Sequence, residues 1–332
     1  MSKKKDLGQF YTTNSEYIIS NLVDIFPEQC TVIDPFVGEG DLLKLLKNHK
    51  FIGYDIDKKI KGCIEQDTLI NPPKYDGKWV LTNPPYLARN KNKDKTLYDK
   101  YKLNDLYKIA IKTMIGCDGG VLIIPINFFS GDDSKLRNEF LSKYKIIKMN
   151  IFEESVFDDT TYTVCSFSFV KSEQEKQTLD ITFFPSKINK KYEIDKCDNF
   201  LIGAEITKLL NRKHKIKRLR IGDNESNSNL YLRAIDTGSM SGRISLQYRD
   251  KQFFAKETDR TFATIVLEKN YSKEEQKIIA KRFNEVLEEY RNKYNSLFLT
   301  NYRNSGKTYA RKRIGFDMAY SLIDYVIKEL HL

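Results

Sequence analysis

Short apolar runs alternate with helical stretches along the first half of this chain, and this alternation restricts the fold more than any other feature of the sequence. In chain order the runs are TVIDPF, KFIGYDID, KWVLTNPPY, GGVLIIPINFF, KIIKMNIF, TYTVCSFSFV and TLDITFF. Leucines at helical spacing in DLLKLLKN predict a helix over residues 41–48. Strands separated by helices predict an α/β sheet with largely parallel core strands. The strands that begin near Thr161 and Leu179 are candidates for an antiparallel pair at the sheet edge.

A change in composition predicts a second domain. The chain has 332 residues, more than the roughly 100–200 of one typical domain. Between Lys171 and Phe200 the sequence becomes charged and irregular around one strand-like run. We therefore expect a larger domain at residues 1–198 and a smaller one at residues 199–332.

The C-terminal part carries almost all of the excess positive charge. Residues 1–200 contain 30 Lys and Arg against 29 Asp and Glu, whereas residues 201–332 contain 26 against 16. The simplest interpretation is a polyanion-binding module beside a nearly neutral one, with nucleic acid as the first candidate. A basic surface without a binding role explains the charge equally well.

Sequence patterns predict that this basic part is an α+β module. Residues 231–250 contain two short extended segments around a Gly/Ser loop. A Ser–x–x–Glu capping box at Ser272–Glu275 predicts the start of a long amphipathic helix. A second helix is expected over residues 316–330.

Several classes of protein and site are disfavoured by composition. The sequence contains no run of about 18 apolar residues, so no transmembrane helix is predicted. The 5 cysteines are widely spaced, and with only 3 histidines the sequence predicts neither a disulfide framework nor a metal site. Such cysteine usage is typical of a reducing compartment, so a cytoplasmic protein is expected.

The segment DPFVGEG, residues 34–40, joins the first strand to the predicted helix that follows it. Ligands of open α/β sheets bind beyond the carboxyl ends of the strands, where this segment lies. Gly38 and Gly40 allow the backbone to approach a ligand closely. The three-glycine dinucleotide fingerprint is not met, and the carboxylates of Asp34 and Glu39 would repel a pyrophosphate. They suit a cationic amino-acid group and sugar hydroxyls instead.

Further acidic residues follow the next strand. An acidic residue about 20 residues after the glycine turn is the usual ribose ligand of such folds, and Asp55 fits this position, with Asp57 as the alternative. Asp67 is a candidate to accept a hydrogen bond from an adenine amino group. Taken singly, each acid is more typical of a turn or a solvated charge. Their order at successive strand ends favours a nucleoside site.

The segment LTNPPY places Asn83, Pro84, Pro85 and Tyr86 directly after a strand. The two prolines stiffen the backbone and remove N–H donors, so that the Asn83 side chain and the Pro84 carbonyl present two acceptors to an NH₂ group. Tyr86 offers a flat face for stacking on a base. A second Asn-Pro-Pro at Asn71 has neither a preceding strand nor a following aromatic residue, and is interpreted as an ordinary turn.

The ordered set GQFYT, DPFVGEG, GYDID, DTL and LTNPPY resembles the class I S-adenosylmethionine-dependent DNA adenine-N6 methyltransferases. The order, with GQFYT first and a basic region last, is similar to the gamma group found in restriction–modification systems. The resemblance covers residues 6–172. It implies a Rossmann-like methyltransferase sheet with a smaller basic recognition domain, S-adenosylmethionine as cofactor and no metal.

The resemblance also implies roles for individual residues. Gly8 with its four successors would cover the methionine end of the cofactor, and the residues after each strand would line the rest of the pocket. The implied cofactor-binding residues are Gln9, Phe10, Tyr11, Thr12, Asp34, Pro35, Phe36, Gly38, Gly40, Asp55, Ile56, Asp67, Thr68 and Asn83. Asn83, Pro84, Pro85 and Tyr86 would hold the target base. Phe157 would stack on its other side, with Tyr162 as the alternative, although both are equally typical of core residues.

Double-stranded DNA is the partner that the resemblance and the charge distribution favour together. Two basic segments are expected to contact phosphates, and three arginines are candidates for contacts with base edges. The phosphate candidates are Arg212, Lys213, Lys215, Lys217, Arg218, Lys307, Arg311, Lys312 and Arg313, and the base-edge candidates are Arg233, Arg243 and Arg303. A monomer is expected, with a separate endonuclease as a conceivable partner and no membrane association.

Two alternatives stay open on sequence alone. One is an N-methyltransferase of the same motif that acts on RNA adenine or on a protein glutamine amide. The other is a non-catalytic DNA-binding protein on a methyltransferase scaffold. GQFYT and the basic C-terminal part favour DNA, and the intact set of acids and glycines favours catalysis.

Overall fold

The computed structural model describes residues 12, 14–46, 49–57, 60–130, 134–157, 162–208, 214–237, 242–304 and 310–332, and it describes only the backbone of residues 301–304 and 310. The chain divides into two compact units. The first consists of residues 1–128, 132–200 and 306–308, and the second of residues 129–131, 201–305 and 309–332. The division after residue 200 lies close to the predicted limit at 198, and the roles of the two domains stay a prediction.

Nine strands of the first unit form one sheet in the order β3-β2-β1-β4-β5-β7-β6-β8-β9. They are β1 (Thr31–Asp34), β2 (Lys50–Asp55), β3 (Ile64–Glu65), β4 (Trp79–Thr82), β5 (Gly119–Pro125), β6 (Tyr144–Phe152), β7 (Val164–Lys171), β8 (Lys176–Phe184) and β9 (Ile188–Asp195). Strands β1 to β5 pair in parallel, and β7 is antiparallel to both β5 and β6. This parallel-rich order confirms the predicted α/β, Rossmann-like fold.

The helices that accompany this sheet are short. They are α1 (Ser15–Ile19), α2 (Thr96–Tyr101), α3 (Leu106–Met114), α4 (Asn127–Ser130) and α5 (Ser134–Lys143). Of these, α3 has the clearest amphipathic pattern, because Leu106, Ile109 and Ala110, at positions i, i+3 and i+4, are buried.

Three details of the secondary structure predicted for this unit are wrong. The helix expected over 41–48 is only a 3-10 turn at Leu43–Leu45, where Leu42 and Leu46 are buried on either side. The strand that starts at Gly119 ends at Pro125, before α4 begins.

The third error concerns the expected antiparallel edge pair. β7 lies inside the sheet between β5 and β6, and β8 runs parallel to β6. The edge strand is β9, which pairs with β8 in an antiparallel hairpin and was not predicted. Its sequence INKKYEID is charged enough to suggest a loop, but Tyr192 and Ile194 are buried at alternate positions.

The centre of the sheet requires glycine at the start of β5. A Cβ atom at Gly119 would lie 2.5 Å from the Phe169 carbonyl oxygen, and one at Gly120 would lie 2.1 Å from the Val80 carbonyl oxygen. Val80 belongs to β4, which carries the Asn-Pro-Pro-Tyr segment at its end. The position of that segment therefore depends on the close approach of β4 and β5.

The second unit has two β structures and two long helices. Strands β10 (Lys217–Arg218), β11 (Leu230–Arg233), β12 (Ser245–Tyr248) and β13 (Phe262–Val266) form an antiparallel sheet, and β14 (Thr300–Asn304) pairs with β15 (Ala310–Arg313) in a hairpin. The helices are α6 (Glu205–Lys208), α7 (Lys273–Lys293) and α8 (Phe316–Glu329). The predicted capping box of α7 is confirmed, since Ser272 and Glu275 bond each other's backbone N–H groups. This α+β unit matches the predicted element types.

A buried ion pair joins three parts of this second unit. Arg291 of α7 donates from Nη1 to Asp236 Oδ1 at 3.1 Å and from Nη2 to Asp236 Oδ2 at 3.0 Å. Asp236 also accepts the backbone N–H groups of Ile244 and Lys312. Because removal of one partner leaves an uncompensated buried charge, such a pair is costly to break, by about 3–5 kcal/mol.

The glycine requirement in β5 leads to a stability prediction. Gly120→Ala should lower the free energy of unfolding by about 2 kcal/mol more than Gly77→Ala, because overpacking adds to the backbone strain. Gly77 is the matched control, since it has a positive φ of 67° but open space around its Cβ position. Urea denaturation of the two variants checks this, and equal midpoint shifts would contradict it.

Candidate active site

A cavity of about 550 Å³ lies at the edge of the sheet where β1, β2 and β4 end. Because these strands are parallel, their carboxyl ends meet at one edge. Of the predicted cofactor-binding residues that the structure describes, those lining the cavity are Thr12, Pro35, Phe36, Gly38, Asp55, Ile56, Asp67, Thr68 and Asn83, and Pro85 of the target-base group lines it too. Gln9, Phe10 and Tyr11, together with Gly8, lie outside the described residues.

Asp34 is buried at the end of β1, with one carboxylate oxygen engaged and the other without a partner. Its Oδ1 accepts the Phe36 backbone N–H at 3.0 Å and the Thr82 hydroxyl at 2.8 Å. Oδ2 is buried and has no hydrogen bond among the described residues. Burial raises the pKa of Asp34 to about 7, against the lowering by those two hydrogen bonds. A cationic group placed at Oδ2 would stabilise the ionised form.

Asp55 shapes the glycine turn from the next strand. Its Oδ2 accepts the Gly38 N–H at 2.8 Å, and its Oδ1 accepts the Asp57 N–H at 2.9 Å. Gly38 has a φ of 57°, in the left-handed region that favours glycine. Asp55 therefore orders the loop and also lines the cavity, whereas Gly40 is packed against Ile60 and is not among the lining residues.

The loop after β3 forms a further wall of the cavity. Asp67 Oδ1 accepts the backbone N–H groups of Leu69 and Ile70, so this carboxylate closes its own turn. Thr68 is buried and donates to the Pro35 carbonyl at 2.9 Å. The predicted adenine-binding residues thus have structural contacts that hold this wall in place.

Asn83 has its side-chain amide fixed from two sides. Its Nδ2 donates to Thr12 Oγ1 at 3.0 Å, and its Oδ1 lies within hydrogen-bonding distance of the Tyr86 hydroxyl. The same hydroxyl lies 2.8 Å from the Ile123 carbonyl oxygen of β5. These contacts orient the amide oxygen at the rim of the cavity. The control position Asn71 is an exposed turn residue, as expected.

Tyr86 occupies a different environment from the open stacking face that the sequence suggests. The ring is 2% exposed, and burial raises the pKa of its hydroxyl well above the ordinary value. It makes edge contacts with Tyr107 and Tyr162, each at a centroid distance of 6.1 Å. In this conformation Tyr86 is placed to position Asn83 through its hydroxyl.

The two candidates for the second stacking side chain are placed differently. Phe157 is buried in the loop after β6. Tyr162 is half-buried, touches Tyr86 and lies 3.4 Å from Lys91 Nζ. The alternative Tyr162 therefore lies beside the Asn-Pro-Pro-Tyr segment, and the assignment of either residue stays a prediction.

Sequence reasoning missed one wall of the cavity. Residues from the segment that follows Tyr86 contribute Asn92, Asp94, Thr96, Leu97 and Lys100. The signal that was available is the density of lysines in ARNKNKDK directly after the motif. Glu39, whose carboxylate was expected to suit a ligand, also lines the cavity. Other lining residues that were not predicted are Val37, Asp41, Leu42, Gln66, Leu69, Ile70, Leu87 and Leu106.

The basic candidates of the second unit have mixed surroundings. Lys215 and Lys217 are exposed, whereas Arg218 donates to backbone carbonyls and lies over the Phe316 ring. Arg243 is paired with Glu288 at 2.9 Å.

The end of β11 and the strand β15 bring several other candidates close together. Ile235 forms a bridge with Arg313, and the Asp236 N–H donates to the Lys312 carbonyl. Arg233, Arg311, Lys312 and Arg313 are all half-buried along these segments. Arg212, Lys213 and Lys307, and the side chain of Arg303, lie outside the described residues.

Metal clusters and membrane spans were both disfavoured by the sequence. In the part of the chain that the structure describes, no group of three or more His, Cys, Asp or Glu side chains is placed to hold a metal ion. Over the same residues, no helix is both long and apolar enough to cross a bilayer.

No family model and no curated protein match this sequence. Among solved structures, a methyltransferase subunit of a type I restriction–modification system from Streptococcus thermophilus matches with a TM-score of 0.45 and 12% identity, over 60% of this chain and 59% of that one. A protein from Vibrio vulnificus, described as a type I modification subunit, matches with a TM-score of 0.44 and 14% identity, over 55% and 49%. A protein from Listeria monocytogenes, described as a class I S-adenosylmethionine-dependent methyltransferase, matches with 0.41 and 15%, over 51% and 65%.

The matches cover 49%, 65% and 59% of the chains from Vibrio vulnificus, Listeria monocytogenes and Streptococcus thermophilus, respectively. This chain therefore spans about half to two thirds of their length. Because these identities are 12–15% and the TM-scores are 0.41–0.45, the assignment of the fold rests on the strand order given above.

Asp34 yields a prediction that combines stability and binding. If the cavity holds S-adenosylmethionine, as the sequence resemblance implies, Asp34→Asn should weaken its binding by about 10- to 100-fold, because a charge-assisted hydrogen bond of about 1.5–3 kcal/mol would be lost. Isothermal titration calorimetry measures this. Because the pKa of Asp34 is raised in the folded state, the wild type loses stability as pH rises towards and through about 7, and the variant does not.

The melting temperature of Asp34→Asn should therefore exceed that of the wild type by more at pH 8 than at pH 5. Differential scanning fluorimetry at both pH values checks this sign. Unchanged cofactor affinity would contradict the contact with the cofactor, and a stability difference that shrinks with rising pH would contradict the raised pKa of Asp34.

Tyr86→Phe separates a positioning role from a stacking role. The variant keeps the ring and removes the hydroxyl beside Asn83 Oδ1, so kcat should fall about tenfold, the value of one hydrogen bond. KM for the substrate and cofactor affinity should stay near wild type. Tyr144→Phe is the control, since it removes another buried hydroxyl, one that contacts Gly116 and Cys117. A Tyr86→Phe enzyme with wild-type kcat would favour stacking alone.

Proposed function

We propose that the chain is a site-specific DNA methyltransferase that transfers a methyl group from S-adenosylmethionine to N6 of an adenine in duplex DNA, as the modification enzyme of a restriction–modification system. The observation that carries this proposal is the position of Asn83. Its fixed amide lies at the end of β4 and lines the same cavity as Asp55, next to the buried carboxylate of Asp34.

The described residues fit the proposed cofactor. The unpartnered Oδ2 of Asp34 is a buried acceptor suited to the cationic amino-acid end. Asp55 offers carboxylate oxygens to ribose hydroxyls. Ile56 and Ile70 line the cavity and are 44% and 52% exposed, so they offer apolar faces to an adenine ring. The volume of about 550 Å³ lies in the range of small-molecule sites, about 300–1,000 Å³.

S-adenosylmethionine would supply a methyl group on a sulfonium, which is electrophilic. Adenine N6 is a poor nucleophile because its lone pair is delocalised into the ring. The two N6 protons would donate to Asn83 Oδ1 and to the Pro84 carbonyl, which favours a tetrahedral nitrogen with a localised lone pair. As the N–C bond forms and the S–C bond breaks, the donor would leave as a neutral thioether, and one N6 proton would be released to solvent. Contacts with Thr12 and Tyr86 fix the orientation of the Asn83 amide, which supports this role. The residues would act by positioning and by stabilising charge that develops at N6.

A duplex substrate requires the adenine to leave the base stack, at a cost of a few kcal/mol. An aromatic side chain that stacks on the extruded base would offset part of this, at about 1–3 kcal/mol. Tyr162 and Phe157 are the candidates. The C-terminal part, with 26 basic and 16 acidic residues over 201–332, would act as the target-recognition domain. A monomer acting on a short duplex site, with a separate endonuclease as partner, completes the proposal.

Asn83→Ala tests the function directly. The variant should lose methyl transfer, because the amide acceptor for N6 is gone, while cofactor affinity stays close to wild type. Asn71→Ala is the control, since it alters the other Asn-Pro-Pro segment at an exposed turn. Transfer of a labelled methyl group to duplex DNA, RNA and a glutamine-containing peptide provides the readout. Near-normal turnover of Asn83→Ala, or transfer to RNA or peptide in place of DNA, would overturn the proposal.

A further inference from the structure

The segment Arg89–Lys102, which we term the lysine loop, is a positive island in a nearly neutral unit. It contains 6 Lys and Arg against 2 Asp, whereas the rest of residues 1–200 contains 24 Lys and Arg against 27 Asp and Glu. The loop starts three residues after Tyr86. Its charge is therefore concentrated beside the site and is not a property of the whole unit.

The base of the lysine loop is anchored to the core. The Leu106 N–H donates to the Leu87 carbonyl at 3.2 Å, and the Arg89 N–H donates to the Asn104 carbonyl at 2.9 Å. Tyr98 of α2 is buried within the loop, and its hydroxyl donates to the Leu87 carbonyl at 2.9 Å. These contacts hold the loop against the cavity, and its residues Asn92, Thr96 and Lys100 form part of the lining.

Half of the cations in the loop are committed to local structure or to the cavity. Arg89 pairs with Asp99 at 2.8 Å, and Lys95 donates to the carbonyls of Arg89 and Asn92. Lys100 lines the cavity.

The other three cations, Lys91, Lys93 and Lys102, are exposed, and among the described residues they form no ion pair. Lys91 Nζ lies 3.4 Å from the Tyr162 hydroxyl, and Tyr162 touches Tyr86, which contacts Asn83. A cation is thus placed two side chains away from the amide that would hold the target base.

We propose that Lys91, Lys93 and Lys102 bind the backbone phosphates that flank the target adenine. The inference rests on the proposed function and adds a DNA contact to the catalytic unit itself. A base held at Asn83 has its two phosphates only one sugar away. Exposed cations on the loop that forms one wall of the same cavity match the charge of those phosphates. Exposed lysines in water bind phosphate mainly by releasing counterions, which makes the contact measurable through salt.

The test compares the triple variant Lys91→Ala, Lys93→Ala, Lys102→Ala with the full-length wild type. Binding to an unmethylated duplex that contains the sequence methylated by the wild type is measured by fluorescence anisotropy between 50 and 200 mM salt. Over this range the affinity of a protein with many phosphate contacts falls by about 10³–10⁵. Loss of three contacts should reduce the slope of log K against log salt by about 2.7. Cofactor affinity should stay at the wild-type value, because the Lys100 side chain is retained.

The matched control is Lys145→Ala, Lys148→Ala, Lys171→Ala, which removes three exposed lysines of β6 and β7 in the same unit. Its slope should equal that of the wild type. An unchanged slope in the lysine-loop variant, or an equal loss in the control, would overturn the inference while leaving wild-type methylation of DNA intact. A wild type that neither binds nor methylates DNA would instead overturn the proposed function.

Discussion

The hydrogen bond from the Thr82 hydroxyl to Asp34 Oδ1, at 2.8 Å, joins the two halves of the site. Thr82 is the last residue of β4 and directly precedes Asn83, while Asp34 ends β1. The bond is possible because β1 and β4 are adjacent and parallel, with Ile33 opposite Val80. It satisfies one oxygen of a buried carboxylate, while the other has no hydrogen bond among the described residues. The group proposed to hold the cofactor and the group proposed to hold the base are thereby fixed relative to each other.

Around this bond, most of the predicted ligand-binding residues also make hydrogen bonds that hold the site together. Asp55 holds the Gly38 turn, Thr68 ties two loops together, and Tyr86 contacts the Asn83 amide. Such an arrangement keeps polar groups satisfied before a ligand arrives, so little reorganisation is needed on binding. Asp34 is the exception, and its raised pKa reflects the cost of burying a carboxylate that lacks a counter-charge. A cationic ligand would reduce that cost, because it would stabilise the ionised form of Asp34.

Sequence patterns predicted the parallel strands and the strand-end ligands because both depend on local signals: apolar runs, and glycine, proline and acidic residues directly after them. They failed where tertiary contacts decide the structure. β9 is a strand because alternate residues such as Tyr192 are buried against β8, which its charged composition does not reveal. Tyr86 is buried because β5 passes beside it, and the wall from the lysine loop forms because Leu87 and Leu106 pair across 18 residues. Each of these contacts joins residues that are far apart in the sequence, so local patterns do not reveal it.

The identity of the methylated atom tests the central claim most directly. Wild-type protein is incubated with duplex DNA and S-adenosylmethionine that carries a trideuterated methyl group, and the digested nucleosides are analysed by mass spectrometry. Our account predicts that the label appears on N6 of deoxyadenosine and on no other nucleoside. Label on cytosine would contradict the proposed hydrogen bonds from adenine N6 to Asn83 and Pro84. Unlabelled DNA would contradict them too, if the protein binds the cofactor.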